Sequence, residues 1–308
     1  MRATATDDRL AARPAASRAR PFAWARGRVA ALALGGFVAL AVALVLGVGL
    51  GTVAIAPGET LGILVHRLLG LDVGGTWSPA TETIVWDLRL PRVLTAMTVG
   101  AGLAVAGTTF QGLLRNPLAD PYVLGTASGA ALGAAIAVVI PFRATILGFG
   151  LIHALAFVGA LAAVFTVYRL SRINGLSPLT SLLLTGYAVG SLLAAGLAMA
   201  MYLSGAALRQ IFAYLLGGFD TAGWSQLGVT LPLVAVGSGL ILLRARSLDG
   251  LLLGEDAALH LGIDVRKERA ILLALASLVT AAAVAVSGLI GFVGLVVPHV
   301  VRLAVGPG

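Results

Sequence analysis

Few side chains in this 308-residue sequence could carry chemistry, and most of them sit at the ends of apolar runs. Arg89-Leu-Pro-Arg92 sets two guanidiniums around a proline. Arg115-Asn116-Pro117-Leu118-Ala119-Asp120-Pro121 is a polar knot whose two prolines forbid a continuous helix. Between Leu252 and Val265, Gly254 and Gly262 bracket Glu255 and Asp256, carboxylates that suit the first turn of a short helix. His153 is the only ionisable side chain well inside an apolar run, where it could hold a proton or pack as a neutral ring without an acidic partner. Ion-coupled carriers usually keep a carboxylate within the membrane; all thirteen acidic residues here fall outside the apolar runs. ATP chemistry needs a Gly-x4-Gly-Lys-Ser/Thr loop whose lysine meets the phosphates, and the one lysine, Lys267, lies between Arg266 and Glu268. No His/Asp/Glu cluster has metal-ligand spacing, no Ser/His/Asp set is credible, and there is no cysteine. If this protein moves something uphill, another polypeptide supplies the energy.

The elements that must position these residues are membrane helices. The chain is 59% hydrophobic and 11% charged, with mean hydropathy +1.00, whereas about a quarter of an average soluble domain is charged. Apolar runs at 29–56, 93–114, 122–140, 144–168, 178–203, 226–243 and 270–289, with a shorter one at 288–301, lie near the ~20 residues that cross a bilayer. Residues 1–28 hold seven arginines without apolar periodicity and read as a disordered cytoplasmic tail, a targeting peptide being the alternative. With the N-terminus inside, sixteen of the 21 basic residues fall on inner loops and five outside. That asymmetry accounts for the net charge of +8 without nucleic acid. The expected outer loop 57–92 carries a short interfacial helix at Leu61–Leu69, and 208–224 reads the same way. Arg89 and Arg92 are expected just outside the second span, where arginines commonly anchor helix ends. Thr180 and Ser181 lie near the inner end of the fifth span, as caps or as pathway residues.

Gly125, Gly129 and Gly133 form a stripe at spacing four that permits close helix packing. Gly288, Gly291 and Gly294 precede Pro298-His299 in the second half. Each half thus pairs a long helix with a short glycine-rich one, and the two pairs run in opposite senses. The pattern predicts an inverted repeat, a common transporter plan.

Four separated motifs carry a family resemblance: RLPR at 89–92, RNPLADP at 115–121 with Leu124-Gly125, LLGEDAALHLGIDV at 252–265, and GFVGLVVPHVVR at 291–302. In this order, over roughly 35–308, the chain resembles the FecCD (BtuC-like) permeases of bacterial ABC importers for iron–siderophores, haem and vitamin B12. The resemblance implies an all-α, polytopic, BtuC-like bundle of ten helices with both termini cytoplasmic, in the bacterial inner membrane. Residues 29–308 would form the permease domain, and the sequence stops where the family continues with two more helices, so the second repeat is expected to be incomplete. The implied function is import of a metal chelate, iron–siderophore first, or of a corrinoid. The implied partners are a similar permease in a homo- or heterodimer, two ATPase subunits that use the ATP, an extracytoplasmic binding protein and membrane lipid. No cofactor or metal is expected on this chain, and it is not an enzyme. Arg89 and Arg92 would face acidic residues of the binding protein. Gly254, Glu255, Ala258, Leu261 and Gly262 would form the ATPase-coupling loop, with Leu259 and Ile263 as further apolar contacts; without the resemblance the same stretch is an amphipathic loop helix. Asn116, Pro117, Asp120 and Pro121 make the structural turn. An ion-coupled carrier and a non-transporting scaffold or orphan subunit are the alternatives.

Overall fold

Backbone groups in lipid must be satisfied within the chain, so long apolar stretches become helices. The computed structural model describes residues 22–71, 74–75, 77–142, 144–146, 149–171 and 178–306. Its helices are α1 (Phe22–Gly49), α2 (Pro57–Leu69), α3 (Pro79–Thr83), α4 (Leu90–Leu114), α5 (Thr126–Val139), α6 (Leu151–Ser171) and α7 (Pro178–Leu203). Then come α8 (Leu208–Leu216), α9 (Trp224–Leu243), α10 (Ala245–Leu252), α11 (Glu255–His260), α12 (Val265–Ser287) and α13 (Val293–Val305). A π-helical turn, Ile84–Arg89, joins α3 to α4, and a two-residue antiparallel ladder precedes α6. Among the described residues six helical stretches are long and apolar enough to cross a bilayer: 29–49, 79–114, 151–171, 180–203, 224–243 and 265–287.

Three boundaries differ from the sequence expectation. The first helix begins at Phe22, inside the supposed tail, and stops at Gly49 rather than 56; residues 1–21 lie outside the described residues. The second long stretch starts at Pro79, so Arg89 and Arg92 sit within it and not beyond its end. Its start is a local signal that hydropathy hides: Ser78 caps the helix by accepting from the Thr81 amide at 3.1 Å, and Pro79 fills the first helical position. The runs at 122–140 and 288–301 yield helices of only 14 and 13 residues, about 20 Å each against a ~30 Å hydrocarbon core.

The core is built around α12, buried along most of its length, and α4. Val99 and Leu103 of α4 cluster with Ala283 of α12, while Phe110 shares a cluster with Leu272 and Ala276, so the two helices run antiparallel. Glycine contacts set the closest crossings. A Cβ on Gly129 would come 2.3 Å from the Gly159 carbonyl oxygen, and one on Gly133 would come 2.1 Å from that of Leu155, so α5 and α6 pack backbone to backbone. Gly125 acts through its backbone conformation instead, since at φ +78° it is the left-handed N-cap of α5.

The two short helices begin inside the bundle. Gly186, against the Val123 carbonyl, lies eight residues along α7, and Gly294, against the carbonyl of Leu103, packs on Gly107, seven residues short of the end of α4. At 1.5 Å per residue both starts lie about 10–12 Å in from the same end. Both N-caps are left-handed, Gly125 at φ +78° and Phe292 at φ +67°. The expected pairing of a long with a short helix therefore holds in both halves (25 with 14 residues, 23 with 13).

Candidate functional site

One end of the bundle carries the polar knot and the expected coupling loop. Leu114 ends α4, and Arg115 takes the left-handed conformation (φ +48°) that turns the chain. Asn116 Oδ1 accepts from the Leu118 amide at 3.0 Å, and Asp120 Oδ1 accepts from the Tyr122 amide at 2.8 Å. Both are Asx turns, which stand in for the backbone bonds that Pro117 and Pro121 cannot donate. The Tyr122 hydroxyl then donates to the Ile290 carbonyl at 2.8 Å, joining the start of the first short helix to the linker before the second. Gln111, buried in the last turn of α4, donates to the Gly294 and Leu295 carbonyls at 3.3 and 3.4 Å and accepts from Arg302.

The loop beside this knot is two short helices. Gly254 (φ +123°) and Gly262 (φ +76°) bracket α11, as their spacing predicts. Leu248 and Leu251 are buried, while Leu253, Leu259 and Leu261 expose most of their side chains. Ala258 and Ile263 depart from the expectation. Ala258 is fully buried and so not available to a partner, and Ile263 is half-buried and packs inward against Gly250. Glu255 bonds Arg269 at 2.7 Å, and Arg244 bonds Glu268 at 2.5 Å. The Arg269 hydrogen bond and charge, with a smaller contribution from Arg115, hold the Glu255 carboxyl below its ordinary range. Arg115 Nε donates to the Leu251 carbonyl at 3.0 Å, so the knot and the loop are one assembly.

At the opposite end both arginines have intramolecular partners. Arg89 donates to the carbonyls of Val48, Gly49 and Val53 at 3.0, 2.9 and 2.5 Å, closing the C-terminus of α1. Arg92 donates to the Asp220 carbonyl at 2.8 Å. At this end Trp86 and Trp224 meet with ring centres 5.4 Å apart and planes tilted by 41°, and the Trp224 indole donates to the Trp86 carbonyl at 3.1 Å. Ser181 is buried and donates to the Ser171 carbonyl at 2.7 Å, which ties α6 to α7; Thr180 beside it is exposed. Residues 39–308 match the FecCD transport family. The chain belongs to that family.

The FecCD relatives include a cobalamin import system permease protein, BtuC, of Halobacterium salinarum, 46% identical over 226 residues, which are 73% of this chain and 60% of that protein. A hemin transport system permease protein, HmuU, of Yersinia pestis is 43% identical over 77% of this chain and 73% of its own length. An uncharacterized ABC transporter permease protein, YvrB, of Bacillus subtilis is 39% identical over 88% and 77%. Among solved structures, one described as "an inward-facing conformation of a putative metal-chelate type ABC transporter" superposes with a TM-score of 0.75 at 29% identity, over 89% of this chain and 81% of that one. The RNPLADP motif that helped carry the resemblance meets, through Arg115, the carbonyl of Leu251, the residue just before the LLGEDAALHLGIDV motif. Sequence reading missed Gln111, Arg302, Tyr122 and Arg269. Gln111 had a signal, since a lone amide in an otherwise apolar helix needs partners.

Proposed function

We propose that this chain is the membrane-spanning permease subunit of an ATP-driven importer for a metal chelate or corrinoid. Family membership, with relatives named for cobalamin and haemin, is the observation that carries the reading. Those names put a corrinoid or haem ahead of the iron–siderophore favoured by resemblance alone. The absence of a nucleotide loop from the sequence agrees, because transport energy would then enter through partner ATPase subunits. The chain itself uses no cofactor and performs no hydrolysis.

On this reading the knot and coupling loop face the cytoplasm, where most of the basic residues fall. Leu253, Leu259 and Leu261 offer the apolar contact for an ATPase groove, and Gly254 and Gly262 shape the helix that carries them. The Arg89 and Arg92 end faces outward toward a binding protein. Arg89 serves chiefly to close α1, which leaves Arg92 as the better candidate for a carboxylate partner. A second permease, identical or similar, completes the assembly. The test is uptake into proteoliposomes that hold the permease with its ATPase subunit, fed by binding protein loaded with radiolabelled cyanocobalamin, haemin or a ferric hydroxamate. The proposal requires uptake of one of these that depends on ATP. Uptake that follows a proton gradient without ATP would instead make the chain an ion-coupled carrier.

A further inference from the structure

The last five residues of α4 and its cap receive three connections from distant parts of the chain. Arg115 Nε bonds the carbonyl of Leu251, 136 residues away, in α10. One turn earlier, Gln111 bonds the first carbonyls of α13 and the guanidinium of Arg302 at its far end. Onward from Arg115 the Asx turns lead without slack to Tyr122, whose hydroxyl holds the linker before α13. Both short helices are thus tethered to this joint. Arg115 also occupies a backbone conformation that few L residues adopt, although glycine, the usual occupant of such a cap, is common in this chain. An arginine there costs conformational strain, which its side-chain bond to the loop explains.

We propose that Arg115 is the positioning residue that transmits motion of the α10–α11 loop to the two half-length helices at the middle of the bundle. The loop, with Leu253, Leu259 and Leu261 exposed, is the part a cytoplasmic partner would move. Its backbone is fastened to the cap of α4 by the Arg115 guanidinium. Displacement of the loop pulls the cap, and the turn carries that displacement to Tyr122 and Ile290 while Gln111 carries it to Gly294. The two short helices then shift together. This inference rests on the importer reading.

The test uses the reconstituted complex described above. With Arg115→Ala, ATP hydrolysis without binding protein stays near wild type, while uptake per ATP and stimulation by loaded binding protein fall about tenfold, a coupling loss of ordinary size. Arg115→Lys, which keeps a charged donor, recovers part of both. Unchanged uptake per ATP in Arg115→Ala overturns the inference. A second measurement does not depend on that variant folding. The chain has no cysteine, so spin labels can be placed at Leu118 and Leu252, both exposed and neither assigned to the ATPase contact. Their separation stays fixed between nucleotide-free and ATP-trapped complexes if turn and loop move as one body. A separation that changes between those states in the otherwise wild-type chain overturns the inference. Wild-type uptake that needs no ATP would remove the importer reading itself, a result distinct from either of these.

Discussion

Substituting Gly107 with alanine tests the crossing on which the two halves meet. The added methyl carbon would lie 1.9 Å from the Gly294 carbonyl oxygen and 2.6 Å from its Cα. Ordinary contact begins at 3.4 Å, so α4 and α13 must part by about 1.5 Å, and no rotamer can relieve a backbone neighbour. Overpacking of this kind costs about 1–3 kcal/mol. The Gln111 bonds to Gly294 and Leu295, already 3.3 and 3.4 Å long, would not survive the separation, and each is worth about 1 kcal/mol. The sum is roughly 3–5 kcal/mol lost. Gly100 lies on the same helix with nothing near its missing Cβ; Gly100→Ala should be neutral or gain up to about 1 kcal/mol from helix propensity. Unfolding of the purified permease by SDS titration, followed by far-UV circular dichroism, compares the two variants. If Gly107→Ala proves as stable as Gly100→Ala, α4 and α13 do not cross as described.

Other perturbations separate the roles assigned above. Arg89→Ala should free the C-terminus of α1 at a local cost of about 1–3 kcal/mol, seen as faster hydrogen exchange and proteolysis around residues 48–53 with exchange in α12 unchanged. Ala258→Leu should destabilise the permease itself by about 1–3 kcal/mol, because the site is closed. Leu259→Asp should leave stability unchanged and weaken capture of the ATPase subunit, measured by co-purification. The Glu255 carboxyl titrates below its ordinary value of 4.5, chiefly because Arg269 bonds it. The unfolded loop therefore binds more protons, and the bond's contribution, complete above pH 4.5, is lost as pH falls through the lowered value. Amide exchange in α11, corrected for intrinsic rates, should be flat from about pH 5 to 8 and rise only in stronger acid, a rise that Glu255→Gln removes.

Much of this was legible because lipid imposes simple rules. The long apolar runs became helices, the two prolines of the knot broke the chain where expected, and Gly254 and Gly262 bracketed α11. The errors came from reading hydropathy alone. Charged residues such as Glu82, Asp87, Arg89 and Arg92 concealed several turns of helix that Ser78 and Pro79 initiate. Apolar side chains on the loop were counted as outward contacts, although burial of Ala258 and Ile263 depends on Gly250 and α12, which periodicity over so short a helix cannot resolve. The joint at Gln111 and Arg115 was illegible for a different reason. Its partners lie 136 to 191 residues away, and only the fold brings them within reach.

The clasp that Arg89 makes on α1 bears on how the protein meets membranes of different thickness. Residues such as Leu34, Phe37 and Val38 face outward, Leu44 and Val45 are half-buried, and full burial on α1 comes only at Val48 and Gly49, next to the clasp. The clasp holds this end, α4 and α13 touch the helix as well, and most of its remaining side chains are apolar and exposed. When acyl chains lengthen or shorten, mismatch is relieved by tilting a helix at a modest cost per ångström. In this chain α1 can tilt about Arg89 and absorb that change. The crossing of α4 and α12, where a shift of an ångström matters, is buried behind it and need not follow that tilt.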